Sequence, residues 1–225
     1  MNYRHSFHAG NSADVVKHSL LIALVQALQI KPSALTLIDT HSGCGLYDLH
    51  GDEAGRTGEA AQGVVRAFAD ADPLLDAYRA AVLAVNEGDN GGAAPRLYPG
   101  SPRILAQLLR PQDALILNEM HPEDARALRG AMRGTSAAVH QRDAYELWPA
   151  LLPTRSPRGV VVVDPPYEQT DERDRITATL AAAHRKWAHG VTVIWYPLKD
   201  RAAHMRWKQQ LGRLGIPKFL SIEHW

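Results

Sequence analysis

The clearest indication of the fold in this chain of 225 residues is the segment GVVVVDPPY (159–167). Four consecutive valines predict a strand buried on both faces, since a half-exposed strand would alternate apolar and polar residues. The two prolines that follow lack an amide hydrogen and have a fixed φ, so they end the strand. The turn therefore presents the carboxylate of Asp164, a main-chain carbonyl and the Tyr167 ring at one place.

The chain on either side of this stretch alternates predicted strands and helices. Further strands are predicted at 35–39, 113–119, 137–143, 190–198 and 218–225. Helices are predicted at 12–29, 74–86, 101–110, 122–132, 144–152, 174–188 and 200–215. This alternation, with several strands apolar throughout, predicts an open, mostly parallel α/β sheet covered by helices on both faces.

Acidic residues end four of the predicted strands. They are Asp39, Glu119, Asp143 and Asp164. Ligands of open α/β sheets bind beyond the carboxyl ends of the strands, so we expect these carboxylates to share one ligand site. The 80 positions between Asp39 and Glu119 are too many for one connection between neighbouring strands. We therefore predict a single domain over 1–225 with an inserted, mostly helical subdomain at 46–99.

Composition excludes several classes of protein. With 45% hydrophobic and 22% charged residues, the chain is typical of a globular protein rather than a disordered or collagen-like one. No apolar run approaches the roughly 20 residues that a membrane span needs, and the first residues lack the apolar core of a secretion signal. The single cysteine excludes an intrachain disulfide framework. These features predict a cytoplasmic protein without membrane contact.

Metal binding and charge give weaker signals. His5, His8 and His18 lie close in sequence but match no strong zinc spacing, so we predict no metal site. The net charge is +1, yet residues 185–225 hold eight basic and only two acidic side chains. Such a basic segment fits either a phosphate backbone or a solvated helix face.

The motif Asp164-Pro165-Pro166-Tyr167 resembles the [DNS]-P-P-[YFW] motif of class I amino-methyltransferases that use S-adenosylmethionine. Six further motifs occur in the order found in the ribosomal RNA large subunit methyltransferase J family, and the similarity spans nearly the whole chain. They are YRHSFHAGN (3–11), the KH of 17–18, DTHSGCG (39–45), RTGE (56–59), YPGSP (98–102) and NEMHP (118–122). The family's fold is a Rossmann-like methyltransferase sheet with a small helical insertion.

The resemblance implies methyl transfer from S-adenosylmethionine to the N6 of one adenine, position 2030, in 23S ribosomal RNA. The RNA would be protein-free or in an early assembly form, and a monomeric enzyme is favoured. The family pattern also implies that the chain lacks the last strands of the family's sheet, since it ends at Trp225 in what resembles a sixth strand.

The same resemblance and the chemistry of the side chains imply roles for individual residues. Asp164, Pro165 and Tyr167 would be catalytic: the Asp164 carboxylate and the Pro165 carbonyl accept the two amino hydrogens, and Tyr167 stacks on the extruded base. Tyr3 and Arg4 would meet the substrate or the edge of the cofactor, and Lys17 is expected to be solvated. The predicted cofactor contacts are His18, His41, Ser101, Glu119, Asp143 and Asp164.

Several alternatives stay open on the sequence alone. Glu119 suits the ribose hydroxyls and Asp143 the adenine amino group, but Asp143 also suits the start of a helix, as does Ser101. A DNA adenine, cytosine or glutamine methyltransferase is an alternative enzyme, and a non-catalytic RNA-binding relative is another. A dehydrogenase is disfavoured because Asp48 stands where a dinucleotide motif needs its third glycine.

Overall fold

The computed structural model describes residues 5–51, 57–87 and 95–223 of the chain. Its main sheet has five parallel strands in the order β5-β4-β1-β6-β7. These strands are β1 (Thr36–Asp39), β4 (Ala114–Asn118), β5 (Ala138–His140), β6 (Gly159–Val163) and β7 (Gly190–Ile194). The strand order reverses direction beside β1, so the loops after β1 and β6 diverge and leave a crevice between them.

Eight α-helices lie in the described part of the chain. They are α1 (Ser12–Gln29), α2 (Val64–Ala69), α3 (Asp76–Leu83), α4 (Ser101–Gln107), α5 (Pro122–Ala131), α6 (Ala144–Ala150), α7 (Glu172–Lys186) and α8 (Arg201–Gly212). Short 3-10 helices occupy His5–Phe7, Glu59–Ala61 and Pro73–Leu75. The predicted α/β fold class is confirmed, and the predicted helix at 12–29 has the observed bounds.

Alternate residues of β6 face opposite layers of helices. Val160 and Val162 pack into a core with side chains of α1, α4 and α5. Val161 and Val163 pack into a second core with side chains of α6, α7 and α8. Every residue of β6 is buried, which is why this strand is apolar throughout instead of alternating.

The connection at 46–99 has two strands that the sequence analysis did not predict. Strand β2 (Leu46–Asp48) pairs antiparallel with β3 (Leu97–Pro99), which brings the ends of the connection together. Each strand has three residues, too few to show an alternating pattern. The buried residues of the 46–99 connection, Tyr78 and Tyr98 among them, contribute to a third core.

The prediction of a last strand at 218–225 is wrong for residues 218–223, and the other two lie outside the described residues. Side-chain bonds hold this segment instead. The hydroxyls of Tyr196 and Ser221 are 3.1 Å apart, and Lys208 donates to Glu223 over 3.2 Å. Strand β7 is consequently an edge of the described sheet. Within the described ranges, none of the helices combines the length and apolar character needed to cross a membrane.

Candidate active site

A cavity of about 280 Å³ lies at the carboxyl ends of β1, β4 and β6. Residues of α1, of the loops that follow these strands and of the first turns of α7 line it. Seven of the predicted site residues are among them: His18, His41, Ser101, Glu119, Asp143, Asp164 and Pro165. The parallel sheet explains the convergence, since it delivers all its carboxyl ends to one edge.

Asp39 is fully buried at the end of β1, beside this cavity. Ser101 Oγ donates to Asp39 Oδ2 over 2.6 Å, and the His41 amide donates to Oδ1 over 3.3 Å. Burial raises the pKa of Asp39 to about 7, because the ionised form loses its hydration. The expectation that Ser101 caps its helix is wrong: the N-cap of α4 is Gly100, and the Ser101 hydroxyl instead serves Asp39.

The substitution Asp39→Asn is expected to change how stability depends on pH. A carboxyl whose pKa is raised in the folded state stabilises fully below its unfolded value, near 3.8, and this contribution is lost as pH rises through about 7. The variant removes this titration, so its stability should rise relative to the unsubstituted chain between pH 4 and 8, by at most about 4 kcal/mol. Thermal unfolding across that range tests it, and a pH-independent difference contradicts it.

Glu119 follows β4 with both carboxylate oxygens held by main-chain amides. Gly43 donates to Oε2 and His121 donates to Oε1, each over 2.8 Å. Gly43 has a φ of 57°, and a Cβ there would lie 2.3 Å from the Tyr47 hydroxyl, so glycine is required. A carboxylate has about four acceptor sites, so Glu119 keeps some for a ligand in the cavity.

Asp143 is the N-cap of α6, accepting the Tyr145 amide over 2.8 Å. It also accepts Arg175 Nη2 over 2.7 Å, and the Arg175 guanidinium stands 4.2 Å from the Tyr145 ring centre. Burial raises the pKa of Asp143, but Arg175 and the amide outweigh burial and lower it overall. The helix-start alternative is thus confirmed, and the side chain still lines the cavity.

Two neutral histidines line the same cavity. His18 Nδ1 is 2.8 Å from the Tyr98 hydroxyl, and His41 Nδ1 is 2.9 Å from Thr40 Oγ1. Burial lowers the pKa of each ring to about 4, because the charged imidazolium would lose its hydration. Both rings are therefore uncharged at neutral pH.

The turn after β6 holds Tyr167 in a strained conformation. Its φ of 52° makes it the non-glycine residue with a left-handed backbone in the part of the chain that the structure describes. Its hydroxyl donates to the Trp195 carbonyl over 2.5 Å, which fixes the half-buried ring beside the turn. Asp164, Pro165 and Pro166 line the cavity, whereas Tyr167 is not among its lining residues. Strain of this kind concentrates at functional sites.

Lys17 contradicts the expectation that it is solvated. Its ammonium lies 2.5 Å from Asp164 Oδ2 and 3.1 Å from Asp14 Oδ1, and its side chain is 15% exposed. Burial alone would lower the pKa of Lys17, but the two carboxylates raise it well above its ordinary value. A signal was available in the sequence: Asp14 and His18 continue the buried face of α1, which also holds Leu21 and Val25.

Residues near the N-terminus bond to Asp14, the second carboxylate beside Lys17. Asp14 is almost fully buried and accepts His5 Nε2 over 3.0 Å and the Gly10 amide over 2.9 Å. His8 contacts Glu59 instead, over 2.9 Å. The nearby histidines therefore bond to different partners. Tyr3 and Arg4, predicted to meet the substrate, lie outside the described residues.

Comparisons with known proteins find a family and several relatives that match this chain. The family described as ribosomal RNA large subunit methyltransferase D, RlmJ, matches residues 32–224. The chain is 38% identical over 224 residues to proteins named ribosomal RNA large subunit methyltransferase J from Escherichia coli (strain K12) and from Haemophilus influenzae. Each alignment covers 99% of this chain and 79% of the relative.

A solved structure shows the same fold. The crystal structure of protein LPL1258 from Legionella pneumophila has a TM-score of 0.83 and 30% sequence identity to this chain. The similarity covers 92% of this chain and 76% of that one. Family, sequence and structure comparisons agree along almost the whole chain. The chain therefore belongs to the ribosomal RNA large subunit methyltransferase J family, and it is a methyltransferase of ribosomal RNA.

Proposed function

We propose that the chain transfers a methyl group from S-adenosylmethionine to the N6 of an adenine in 23S ribosomal RNA, at the position equivalent to 2030. The observation that carries this proposal is that Asp164 and Pro165 line the same cavity as Glu119 and Asp143. In this proposal the reaction centre for an amino group lies beside carboxylates that suit a nucleoside cofactor. The name of the family's members supports the class of RNA.

The residues present fit S-adenosylmethionine. Glu119 has acceptor sites left for ribose hydroxyls, and Asp143 offers an acceptor for an adenine amino group. Asp164 adds a further carboxylate to the lining, which suits a cationic sulfonium. When bound, the cofactor supplies a methyl group that is already activated, so the remaining task of the chain is to position the acceptor nitrogen.

Asp164 and Pro165 would position that nitrogen. The Asp164 carboxylate and the Pro165 carbonyl accept the two amino hydrogens, which leaves the nitrogen lone pair free to react. Lys17 holds the carboxylate in place at 2.5 Å. Asp164 also stabilises the positive charge that develops on the nitrogen. We propose that the extruded base stacks on Tyr167 and that Tyr3 and Arg4 contact it, with stacking worth about 1–3 kcal/mol.

Methyl transfer in vitro tests the function directly. The purified chain is incubated with radiolabelled S-adenosylmethionine and, in separate reactions, with protein-free 23S RNA transcribed in vitro or with DNA from unmodified cells, followed by digestion to nucleosides. Label in N6-methyladenosine is the expected result. Label in DNA but not RNA would support a DNA methyltransferase instead. Cofactor binding without label in either would indicate a non-catalytic RNA-binding relative.

Helix α8 carries two exposed arginines in its first half. Arg201 and Arg206 are exposed, and this end of α8 follows the carboxyl end of β7. Lys208, by contrast, is paired with Glu223. Arg213 lies beyond the far end of α8, away from the cavity edge. We propose that Arg201 and Arg206 contact phosphates next to the cavity.

Charge reversal tests this surface. Arg201→Glu with Arg206→Glu is expected to weaken RNA binding about tenfold and to reduce the salt slope of binding by about 2, because two phosphate contacts are lost. Filter binding at several salt concentrations measures both quantities. Arg213→Glu is the matched control and should change affinity less. An equal loss in the control would contradict the assignment.

We propose that residues 1–225 form one methyltransferase domain with 46–99 inserted in it, and that the enzyme acts as a monomer in the cytoplasm. Core residues of the 46–99 connection pack against α1 and α4 through Ile22 and Ile104, which supports a single domain. Light scattering of the purified chain tests the monomer.

A further inference from the structure

We infer that the fold fixes opposite tautomers in the two cavity histidines: Tyr98 makes His18 a hydrogen-bond donor to the cavity, and Thr40 makes His41 an acceptor. The two rings would then recognise the amino-acid end of the cofactor, with His18 donating to its carboxylate and His41 accepting from its ammonium. This inference rests on the proposed function. Tyr98 and Thr40 are positioning residues, since they act through the histidines.

The single hydrogen of the Thr40 hydroxyl sets the tautomer of His41. The Thr40 hydroxyl has a single hydrogen, which it donates to the Val162 carbonyl over 2.8 Å. The same oxygen lies 2.9 Å from His41 Nδ1, so Nδ1 must be the donor in that contact. A neutral ring protonated on Nδ1 has an unprotonated Nε2. His41 therefore offers the cavity an acceptor.

The donor and acceptor roles of Nδ1 are reversed at His18. The Tyr78 hydroxyl donates to the Tyr98 hydroxyl over 3.4 Å, and both side chains are almost fully buried. The hydrogen of Tyr98 is then directed to His18 Nδ1, 2.8 Å away. A neutral His18 that accepts at Nδ1 is protonated on Nε2. His18 therefore offers the cavity a donor.

The two tyrosines that set the tautomer of His18 belong to the connection at 46–99. Tyr78 lies on α3 and Tyr98 on β3, so both come from that connection, whereas His18 comes from α1. The His18 and Tyr98 rings are also stacked, with centroids 5.7 Å apart. The burial of Tyr98 raises its pKa well above its ordinary value, so its hydroxyl stays protonated and can donate to His18.

Nitrogen-15 NMR of the unsubstituted chain reads both tautomers without any cofactor. We expect His18 to be protonated on Nε2 and His41 on Nδ1, and the reverse pattern at either ring would overturn the inference. Tyr98→Phe should release the His18 tautomer alone, and Thr40→Val should release that of His41 alone. If one variant fails to fold, the spectra of the unsubstituted chain and of the other variant still test the inference.

Calorimetry with two ligands then tests recognition. S-adenosylhomocysteine carries the amino-acid end, and 5′-methylthioadenosine lacks it. Each variant is expected to bind S-adenosylhomocysteine about tenfold more weakly while its affinity for 5′-methylthioadenosine stays unchanged. Equal losses for both ligands would overturn the inference. Tyr196→Phe removes a hydroxyl that bonds to Ser221 instead, and it should change neither affinity.

The failure of the proposed function would look different. A chain that binds neither ligand overturns the use of this cavity for the cofactor, and the inference with it. The tautomers would still be measurable in that case. A chain that binds both ligands but shows the wrong tautomers overturns the inference and leaves the proposed function intact.

Discussion

Asp164→Ala is expected to lower methyl transfer about 10³-fold, because it removes both an acceptor for the substrate amino group and the charge that stabilises the transition state. Cofactor affinity should fall far less, by at most about tenfold, because Asp164 is one of three carboxylates in the lining and Glu119 and Asp143 are untouched. Single-turnover transfer from labelled S-adenosylmethionine and calorimetry measure the two effects separately. Equal losses of transfer and of cofactor affinity would show that Asp164 is structural.

Two further variants sharpen this prediction. Asp164→Asn keeps an acceptor oxygen but carries no charge, so transfer should fall less than in the alanine variant. The difference between the two separates hydrogen bonding from charge stabilisation. Asp171→Ala is the matched control: it removes an exposed carboxylate near the start of α7 that makes no capping bond. Its transfer rate should stay within about twofold of the unsubstituted chain.

Lys17→Met is expected to have the second largest effect, on both transfer and stability. The apolar side chain keeps the length of lysine but releases the carboxylate of Asp164, and misplacement of a reacting group by about 1 Å costs roughly 10² in rate. Among the residues that the structure describes, it also leaves the buried Asp14 carboxylate with His5 and the Gly10 amide as hydrogen-bond partners. Breaking a buried ion pair in this way costs about 3 kcal/mol.

Urea unfolding and single-turnover kinetics measure these two losses. Lys31→Met, which replaces an exposed lysine just after α1, is the matched control and should change neither. A Lys17→Met chain with full transfer activity would contradict the view that Lys17 positions Asp164.

Acid unfolding adds a signature for the Lys17 ion pair. Burial raises the pKa of Asp14, but His5 and Lys17 outweigh it and hold the pKa well below 3.8. A carboxyl with a lowered pKa stabilises above its unfolded value, and this contribution is lost as pH falls through its folded value. Lys17→Met weakens the lowering, so its acid-unfolding midpoint should move to higher pH. An unchanged midpoint would argue against the pair.

Local patterns determined most of the secondary structure. The periodicity of 12–29 gave the bounds of α1, and the valines before Asp164 gave a buried strand. Parallel strands share a carboxyl edge, so the acidic strand ends predicted one site before any coordinates. The strands β2 and β3 were missed because three residues are too few to show a period. The segment 218–223 was wrongly predicted as a strand because its local alternation finds no strand partner in the described structure.

The α/β class and the shared edge of the acidic strand ends could be predicted from the sequence, whereas the packing of separate elements settles which other residues line the cavity and what many of them do there. Lys17 and Asp164 are 147 positions apart, and Ser101 and Asp39 are 62 apart. Helix and strand periodicity report contacts within an element, whereas such pairs depend on how separate elements pack. A buried lysine and a solvated one look alike in a sequence, and desolvation together with a distant carboxylate makes the difference.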